Sequence, residues 1–142
     1  MPVKTFVDTN IWLYSLVQND DVAGDARHGM AFAFLASLSR PVLNSQVIRE
    51  TCSNLLKKSG YPEDAIQRLV RGWYRDCEVF PSSAAQHLLA SALRERHSFS
   101  YWDSLIVAAA LDAGCVTLYS EDMQHGQVID GRLTLINPFL SS

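Results

Sequence analysis

The sequence predicts an α/β sandwich built on a mostly parallel sheet. Short β-branched and aromatic runs alternate with amphipathic helical segments along the chain, which favours this class over an all-helical bundle. No Pro/Gly/Ser-rich linker, repeat or low-complexity run divides the 142 residues, so residues 1–142 are expected to form a single domain. At this length folding buries roughly 68–70% of the unfolded chain's surface, enough for a core without disulfides or a structural metal.

Val3 to Val7 forms the first β-type run and stops at Asp8-Thr9-Asn10. Ile11 to Val17 resumes with helical spacing, and Asp20-Asp21 breaks it. Val22 to Leu38 is an amphipathic helix ending near Arg40-Pro41. Pro41 lacks a backbone donor, so it suits the start of the strand through Val42-Leu43. Ser45 is placed to cap the next helix, which carries Val47, Ile48, Cys52, Leu55 and Leu56 as far as Gly60. Another helix starts at Pro62, with Glu63-Asp64 at the positive end of its dipole. Val79-Phe80 is a brief strand and Ala84 to Arg96 a helix. Ser100 opens a helix through Ala113, closed by Gly114. Cys115 to Tyr119 is a strand, a polar loop covers Ser120 to Gly131, and Leu133 to Ile136 is the last strand.

Composition narrows the setting. Hydrophobic residues make up 48% and charged residues 19% of the chain, values ordinary for a soluble globular protein. The apolar runs are too short to span a bilayer, and the start lacks a signal-peptide pattern. Cys52, Cys77 and Cys115 are odd in number and lie in apolar segments, as packed, reduced thiols do. The expected location is the cytoplasm. A net charge of -3 argues against a broad duplex-binding surface but not against a nuclease, whose acidic metal ligands count in that total.

Four acids are candidates for chemistry. Ligands of parallel sheets bind beyond the carboxyl ends of the strands, where Asp8 and Asp122 fall. Asp8 suits either metal ligation or capping of the helix that follows. Ser100-x-x-Asp103 has the outline of a capping box, yet a first-turn acid also points past the helix end. Asp112, nine residues on, turns to the opposite face and is a solvated charge. Glu50 on its own reads as a solvated helical acid. Asp122 competes with its neighbour Glu121. Hard divalent cations favour such oxygen ligands, and without one clustered carboxylates repel and rise in pKa.

Elsewhere, Ile66, Leu69, Val70 and Trp73 share the core-facing side of their helix, opposite Arg68, Arg71 and Arg75. That arginine stripe is either solvated or a contact for phosphate or a protein partner. His125 is expected to be a loop histidine without a special role. Trp12, Trp73 and Trp102 are expected to be core or interface anchors rather than base-stacking platforms.

Four stretches, in order, cover nearly the whole chain: Phe6-Val7-Asp8-Thr9-Asn10, Ser45-Gln46-Val47-Ile48-Arg49-Glu50, Tyr101-Trp102-Asp103-Ser104-Leu105-Ile106 followed by alanines, and Tyr119-Ser120-Glu121-Asp122-Met123-Gln124-His125-Gly126. Together they resemble a PIN domain, particularly the VapC-type toxins of prokaryotic toxin–antitoxin pairs. The resemblance implies a PIN-like three-layer α/β/α sandwich and a metal-dependent endoribonuclease acting on single-stranded or structured cellular RNA. It implies that Asp8, Glu50, Asp103 and Asp122 form the catalytic, Mg²⁺- or Mn²⁺-binding set, with Thr9, Asn10 and Ser120 in support. It also implies a homodimer inhibited by a cognate antitoxin, and products with 5′-phosphate and 3′-hydroxyl ends. Two alternatives remain open: a haloacid-dehalogenase-type phosphohydrolase with Asp8 as nucleophile, and a non-catalytic RNA- or protein-binding module. The first lacks its second acid, since position 10 is Asn.

Overall fold

In the computed structural model, residues 3–17 and 26–140 are described. The elements run β1 (Thr5–Val7), α1 (Thr9–Leu16), α2 (Arg27–Ala36), β2 (Val42–Asn44), α3 (Ser45–Lys58) and α4 (Glu63–Asp76). They continue with β3 (Glu78–Phe80), α5 (Ala84–Arg96), α6 (Tyr101–Asp112), β4 (Thr117–Tyr119), β5 (Val128–Ile129) and β6 (Leu133–Ile136). The sheet order is β3-β2-β1-β4-β6-β5, with every pair parallel except β5 with β6. Helices α5 and α6 pack along each other, as α1 does with α2 and α3, which completes a three-layer α/β/α sandwich.

The topology places a site before any side chain is considered. From β1 the chain moves outward through β2 to β3, then returns to build β4 and β6 on the other side of β1. Its order reverses between β1 and β4, and a crevice opens at the carboxyl ends of strands at such a point. Val7 pairs with Tyr119, so Asp8 and Ser120 each leave the sheet side by side. The Asp8 backbone N–H still donates to the Tyr119 carbonyl at 3.0 Å.

The core lies on both faces of this sheet. Phe6, Val7, Leu43, Leu118 and Leu135 are buried strand residues. Helix α6 is buried nearly all round, from Ile106 to Leu111, and Ala108-Ala109-Ala110 lets its backbone approach its neighbours closely. Trp12 and Trp73 meet edge to face, ring centres 5.9 Å apart, inside the core. Trp102 is not a core residue: it is 63% exposed, which leaves the interface half of the expectation for it.

Most element boundaries agree with expectation, with local differences. The Asp20-Asp21 break and the first residues of the helix expected from Val22 lie outside the described residues; the described helix α2 begins at Arg27. Asn44, not Ser45, caps α3, its Oδ1 accepting from the Val47 N–H at 3.2 Å. Asn44 is the last strand residue, extended at φ -139°, and reaches three residues on without a turn between strand and helix. Pro62 stands in the cap position of α4 rather than inside its first turn. The loop from Ser120 to Gly131 contains the two-residue strand β5, too short to carry a period-2 signal. It turns back onto β6 through Asp130 and Gly131, both at positive φ.

Among the described residues, no helix is long and apolar enough to cross a membrane. Cys77 and Cys115 are buried free thiols that burial pushes up to about 11 and about 12.

The capping assignment is testable. Asn44→Ala is expected to lose about 1–2 kcal/mol in urea unfolding, whereas Ser45→Ala stays within about 0.5 kcal/mol of the parent. Equal losses from the two substitutions would return the cap to Ser45.

Candidate active site

The acids are held by a chain of hydrogen bonds that starts at the strand ends. Asp8 is buried between β1 and α1. Its Oδ1 accepts from the Thr9 N–H at 2.8 Å and its Oδ2 from the Ser120 hydroxyl at 3.0 Å. Ser120, itself buried, accepts in turn from the Asp122 N–H at 3.2 Å. Asn10 then donates its side-chain amide to Asp122 Oδ2 at 2.9 Å. Asp8 therefore caps α1, as one of its two expectations has it, and through Ser120 it also joins the Asp122 loop.

Glu50 enters the same network from α3. Its Oε2 accepts from the Thr9 hydroxyl at 3.3 Å and its Oε1 from Gln46 at 2.9 Å. Glu50 is exposed, as a solvated helical acid is, yet its carboxylate is also tied to α1 through Thr9. Gln46 also donates to the Trp102 carbonyl at 3.4 Å, which ties α3 to the start of α6. Asp103 sits in that first turn, its N–H donating to the Ser100 hydroxyl at 3.1 Å.

Electrostatics shows that three of these acids share one space. Burial pushes the Asp8 carboxyl up to about 6; hydrogen bonds from Thr9 and Ser120 oppose this, and the charges of Asp103 and Glu50 add to it. Burial also raises Asp103, with Ser100 opposing and Glu50 adding. No basic side chain is among the groups acting on either acid. Asp122 joins through Asn10 and Ser120. Among the described residues, no three acids, histidines or cysteines close into a compact metal cage. A set of carboxylates without a countercharge still fits a hard divalent cation, and Mg²⁺ keeps several waters that span a wider ring of acids.

The two adjacent acids have different partners. Glu121 turns away from the cluster, accepting from the Tyr14 hydroxyl at 2.9 Å and pairing with Arg27 at 3.6 Å. Arg27 also donates to the Tyr14 hydroxyl and lies over its ring. Asp122 faces Asn10 instead.

Other candidates separate from the cluster. Arg68, Arg71 and Arg75 are exposed on α4, and none lines either hollow beside the acids. Arg68 pairs with Asp64 and Arg75 with Asp76, each at 2.9 Å. Asp112 is exposed as expected and accepts from Gln86. His125 holds the loop in place: its Nδ1 accepts from the Asn137 N–H at 3.0 Å, which fixes Nε2 as the protonated nitrogen of the neutral ring.

Gln46 was not among the expected site residues, although its i,i+4 spacing to Glu50 was a usable signal. Arg94 was missed as well. It donates to the Ser104 hydroxyl at 2.7 Å and stacks on Tyr101, bracing the α6 turn that carries Asp103.

Two hollows flank the acids. One, of 580 Å³, includes Glu50 and lies between α3, α5 and α6. The other, of 390 Å³, includes Asp103 and Asp122 and is walled by Arg96 to Phe99 and by Met123 to Gln124.

Comparison with known proteins agrees with this geometry. No curated protein matches the sequence. Among solved structures, VapC20 from Mycobacterium tuberculosis, a toxin that cleaves the sarcin–ricin loop, is 26% identical with a TM-score of 0.65. That match covers 84% of this chain and 90% of the other. A toxin–antitoxin complex from Klebsiella pneumoniae shares the fold at 17% identity, with a TM-score of 0.71 over 96% of this chain and 98% of the other. The PIN domain family model matches residues 5–129, from β1 through β5 and all four acidic positions, and the chain belongs to the PIN domain family.

Proposed function

We propose that this chain is a divalent-metal-dependent endoribonuclease acting as the toxin of a toxin–antitoxin pair, with Asp8, Glu50, Asp103 and Asp122 as its catalytic acids. The observation that carries the reading is the meeting of Asp8, Asp103 and Glu50 in one electrostatic neighbourhood without a basic partner. Family membership and the VapC-type neighbour support a ribonuclease toxin, and the neighbouring complex supports an antitoxin as partner. A homodimer belongs to the same reading. So does a role for the α4 stripe of Arg68, Arg71 and Arg75 in RNA or antitoxin contact.

The roles divide among the residues as follows. Asp8 and Asp103 would hold Mg²⁺ or Mn²⁺, with Glu50 and Asp122 completing the pocket directly or through water. When bound, the ion supplies charge neutralisation at the scissile phosphate and a water acidic enough to ionise near neutral pH. Thr9 and Ser120 orient carboxylate oxygens, and Asn10 keeps Asp122 turned inward. The aspartyl-nucleophile alternative has less support, because both Asp8 oxygens accept hydrogen bonds and residue 10 is an amide with no proton to transfer.

Three outcomes follow from these assignments. Asp8→Asn is expected to lower metal-dependent cleavage of a mixed-sequence single-stranded RNA by more than ~100-fold while the protein stays folded, since even residues behind metal ligands are worth 10–100-fold. Parent-like cleavage by a nuclease-free preparation of that variant would remove Asp8 from the chemistry. Asp122→Asn is expected to lower cleavage at least ~10-fold, whereas Glu121→Gln keeps it and instead loses about 1 kcal/mol of stability with the Tyr14–Arg27 contact; the reverse pattern would exchange their roles.

The third outcome concerns pH. Asp8 ionises at about 6 in the folded protein and near 3.8 as an ordinary carboxyl, so between these values the folded state holds the extra proton. In chelator, stability therefore falls as pH rises from about 4 to about 6, by about 3 kcal/mol at full ionisation, and stays lower above that. Thermal melts should show this decline in the parent and lose most of it in Asp8→Asn. Added Mg²⁺ should raise the melting temperature of the parent at pH 7.5 and have little effect on the variant. A parent whose stability climbs through this window contradicts the uncompensated-acid description.

A further inference from the structure

The 580 Å³ hollow beside Glu50 has a polarity that the proposed acids do not explain. Besides Asn44, whose oxygen caps α3, three side-chain amides line it, Gln46 and Asn54 from α3 and Gln86 from α5. The nitrogen of each is committed to acceptors of the protein itself. Gln46 donates to Glu50 Oε1 and the Trp102 carbonyl. Asn54 donates to the Glu50 carbonyl at 2.8 Å. Gln86, only 5% exposed, donates to the Pro81 carbonyl and to Asp112 Oδ2, both at 2.9 Å.

These partners fix the orientation of all three amides, because carbonyl and carboxylate oxygens offer no proton and an inverted amide would set oxygen against oxygen. What each has left is its carbonyl oxygen. Among the described residues none of the three oxygens has a hydrogen-bond partner, and none is a fully buried atom left without one. The hollow thus carries three preoriented amide acceptors among the hydroxyls of Ser45, Ser53 and Ser82, the His87 ring and the Asn44 amide. Trp102 lines it with a ring that is largely exposed, and Arg49, also exposed, supplies a cation.

We propose that this hollow is a nucleobase subsite for amino-bearing bases of the RNA strand entering the acidic centre, with Trp102 as stacking face and the Gln46, Asn54 and Gln86 carbonyls as acceptors. The inference rests on the ribonuclease reading and specifies its substrate. Adenine and cytosine each carry an exocyclic amine that donates to such oxygens, and guanine offers N1–H and N2–H₂. Uracil has two carbonyl acceptors and a single N–H, so it meets the three oxygens with repulsion. Single-stranded RNA is commonly held by bases stacked on aromatic rings and read along their edges. A volume of 580 Å³ lies within the range of sites that enclose small ligands. Arg49 suits the phosphate of the same strand.

The test uses 5′-labelled 12-mers of r(A), r(C) and r(U), with an abasic strand of equal length, bound in Mg²⁺ to the full chain carrying Asp8→Asn to prevent cleavage. Tryptophan quenching reports on the ring, since Trp12 and Trp73 are in the core. Expected are at least ~10-fold tighter binding of r(A) and r(C) than of r(U), the weakest binding for the abasic strand, and quenching that disappears in Trp102→Ala together with about tenfold in affinity. Trp102→Phe should restore most of that affinity. Gln86→Met should bring r(A) and r(U) to within about twofold, and Asn54→Ala, on a more open side chain, should move the preference the same way if the first variant folds poorly.

Equal binding of r(A), r(C) and r(U), or quenching that survives in Trp102→Ala, overturns the subsite. So does a Trp102→Ala protein with unchanged RNA affinity but an altered oligomeric state or weakened binding to an antitoxin, which would assign the face to a protein. Failure here is separable from failure of the nuclease reading. Metal-dependent cleavage by the parent chain without base preference removes the subsite alone, and base preference without cleavage removes the nuclease alone.

Discussion

The carboxylate of Asp8 is the point through which the sheet, the first helix and the acidic centre are joined. Its backbone extends the β1–β4 ladder by one bond to the Tyr119 carbonyl. One oxygen then takes the first free N–H of α1 and the other takes Ser120 beyond β4. A buried carboxylate bound in this way is ordered before any ligand arrives. The same burial makes its charge expensive, and Asp103 and Glu50 add repulsion from two further elements. The fold thus holds an acid at its centre that is only fully at ease with a cation beside it.

Everything else at the site follows from where that acid stands. Reversal of strand order between β1 and β4 leaves their carboxyl ends without a crossing connection, and Ser120 and Asp122 come to Asp8 because Val7 and Tyr119 are in register. A slip of one residue would move Ser120 out of reach and exchange the faces on which Phe6 and Val7 pack. Glu50 depends on the cap at Asn44, which starts α3 directly at the strand end. Asp103 depends on Ser100 and on the Arg94–Ser104 brace, which sets the first turn of α6. Three separate helix starts therefore aim at one crevice.

The sequence is informative about these features in proportion to how local their causes are. Helix α5 is marked by periodicity and by Ser83 just ahead of it, and the expected range is the observed one. Asp8 and Asp122 are legible as residues leaving strands. Glu50 is not, since its two donors come from Gln46 one turn away and from Thr9, forty-one residues distant. The cap at Asn44 is obscured because Ser45, equally suited by type, lies next to it and only backbone conformation decides. Strand β5 exists through its pairing with β6, a tertiary cause with no periodic trace. Residue type alone does not divide the tryptophans between core and surface: Trp12 and Trp73 share the core, while Trp102, in the first turn of α6, is exposed.

The groove beside Glu50 is lined mainly by neutral amides and hydroxyls, with Arg49 as its one arginine, and this has a physical reason. A lysine or arginine set against uncompensated carboxylates would close an ion pair with them and take the place of the cation. The nearby arginines are engaged elsewhere: Arg27 is joined to Glu121 and Tyr14, on the side of the loop turned away from Asp122, and Arg96, which lines the hollow of Asp103 and Asp122, is paired with Asp130. Amides avoid this conflict. Gln46 and Asn54 donate to Glu50, at its carboxylate and its backbone carbonyl, without cancelling its charge. Each keeps an oxygen that is neutral toward a phosphate and attractive to an amine. On the proposed reading the acids are left to a metal, and the strand can be held beside them by stacking and hydrogen bonds together with the single cation of Arg49. A nuclease built this way needs no basic surface, which accords with a chain whose net charge is -3.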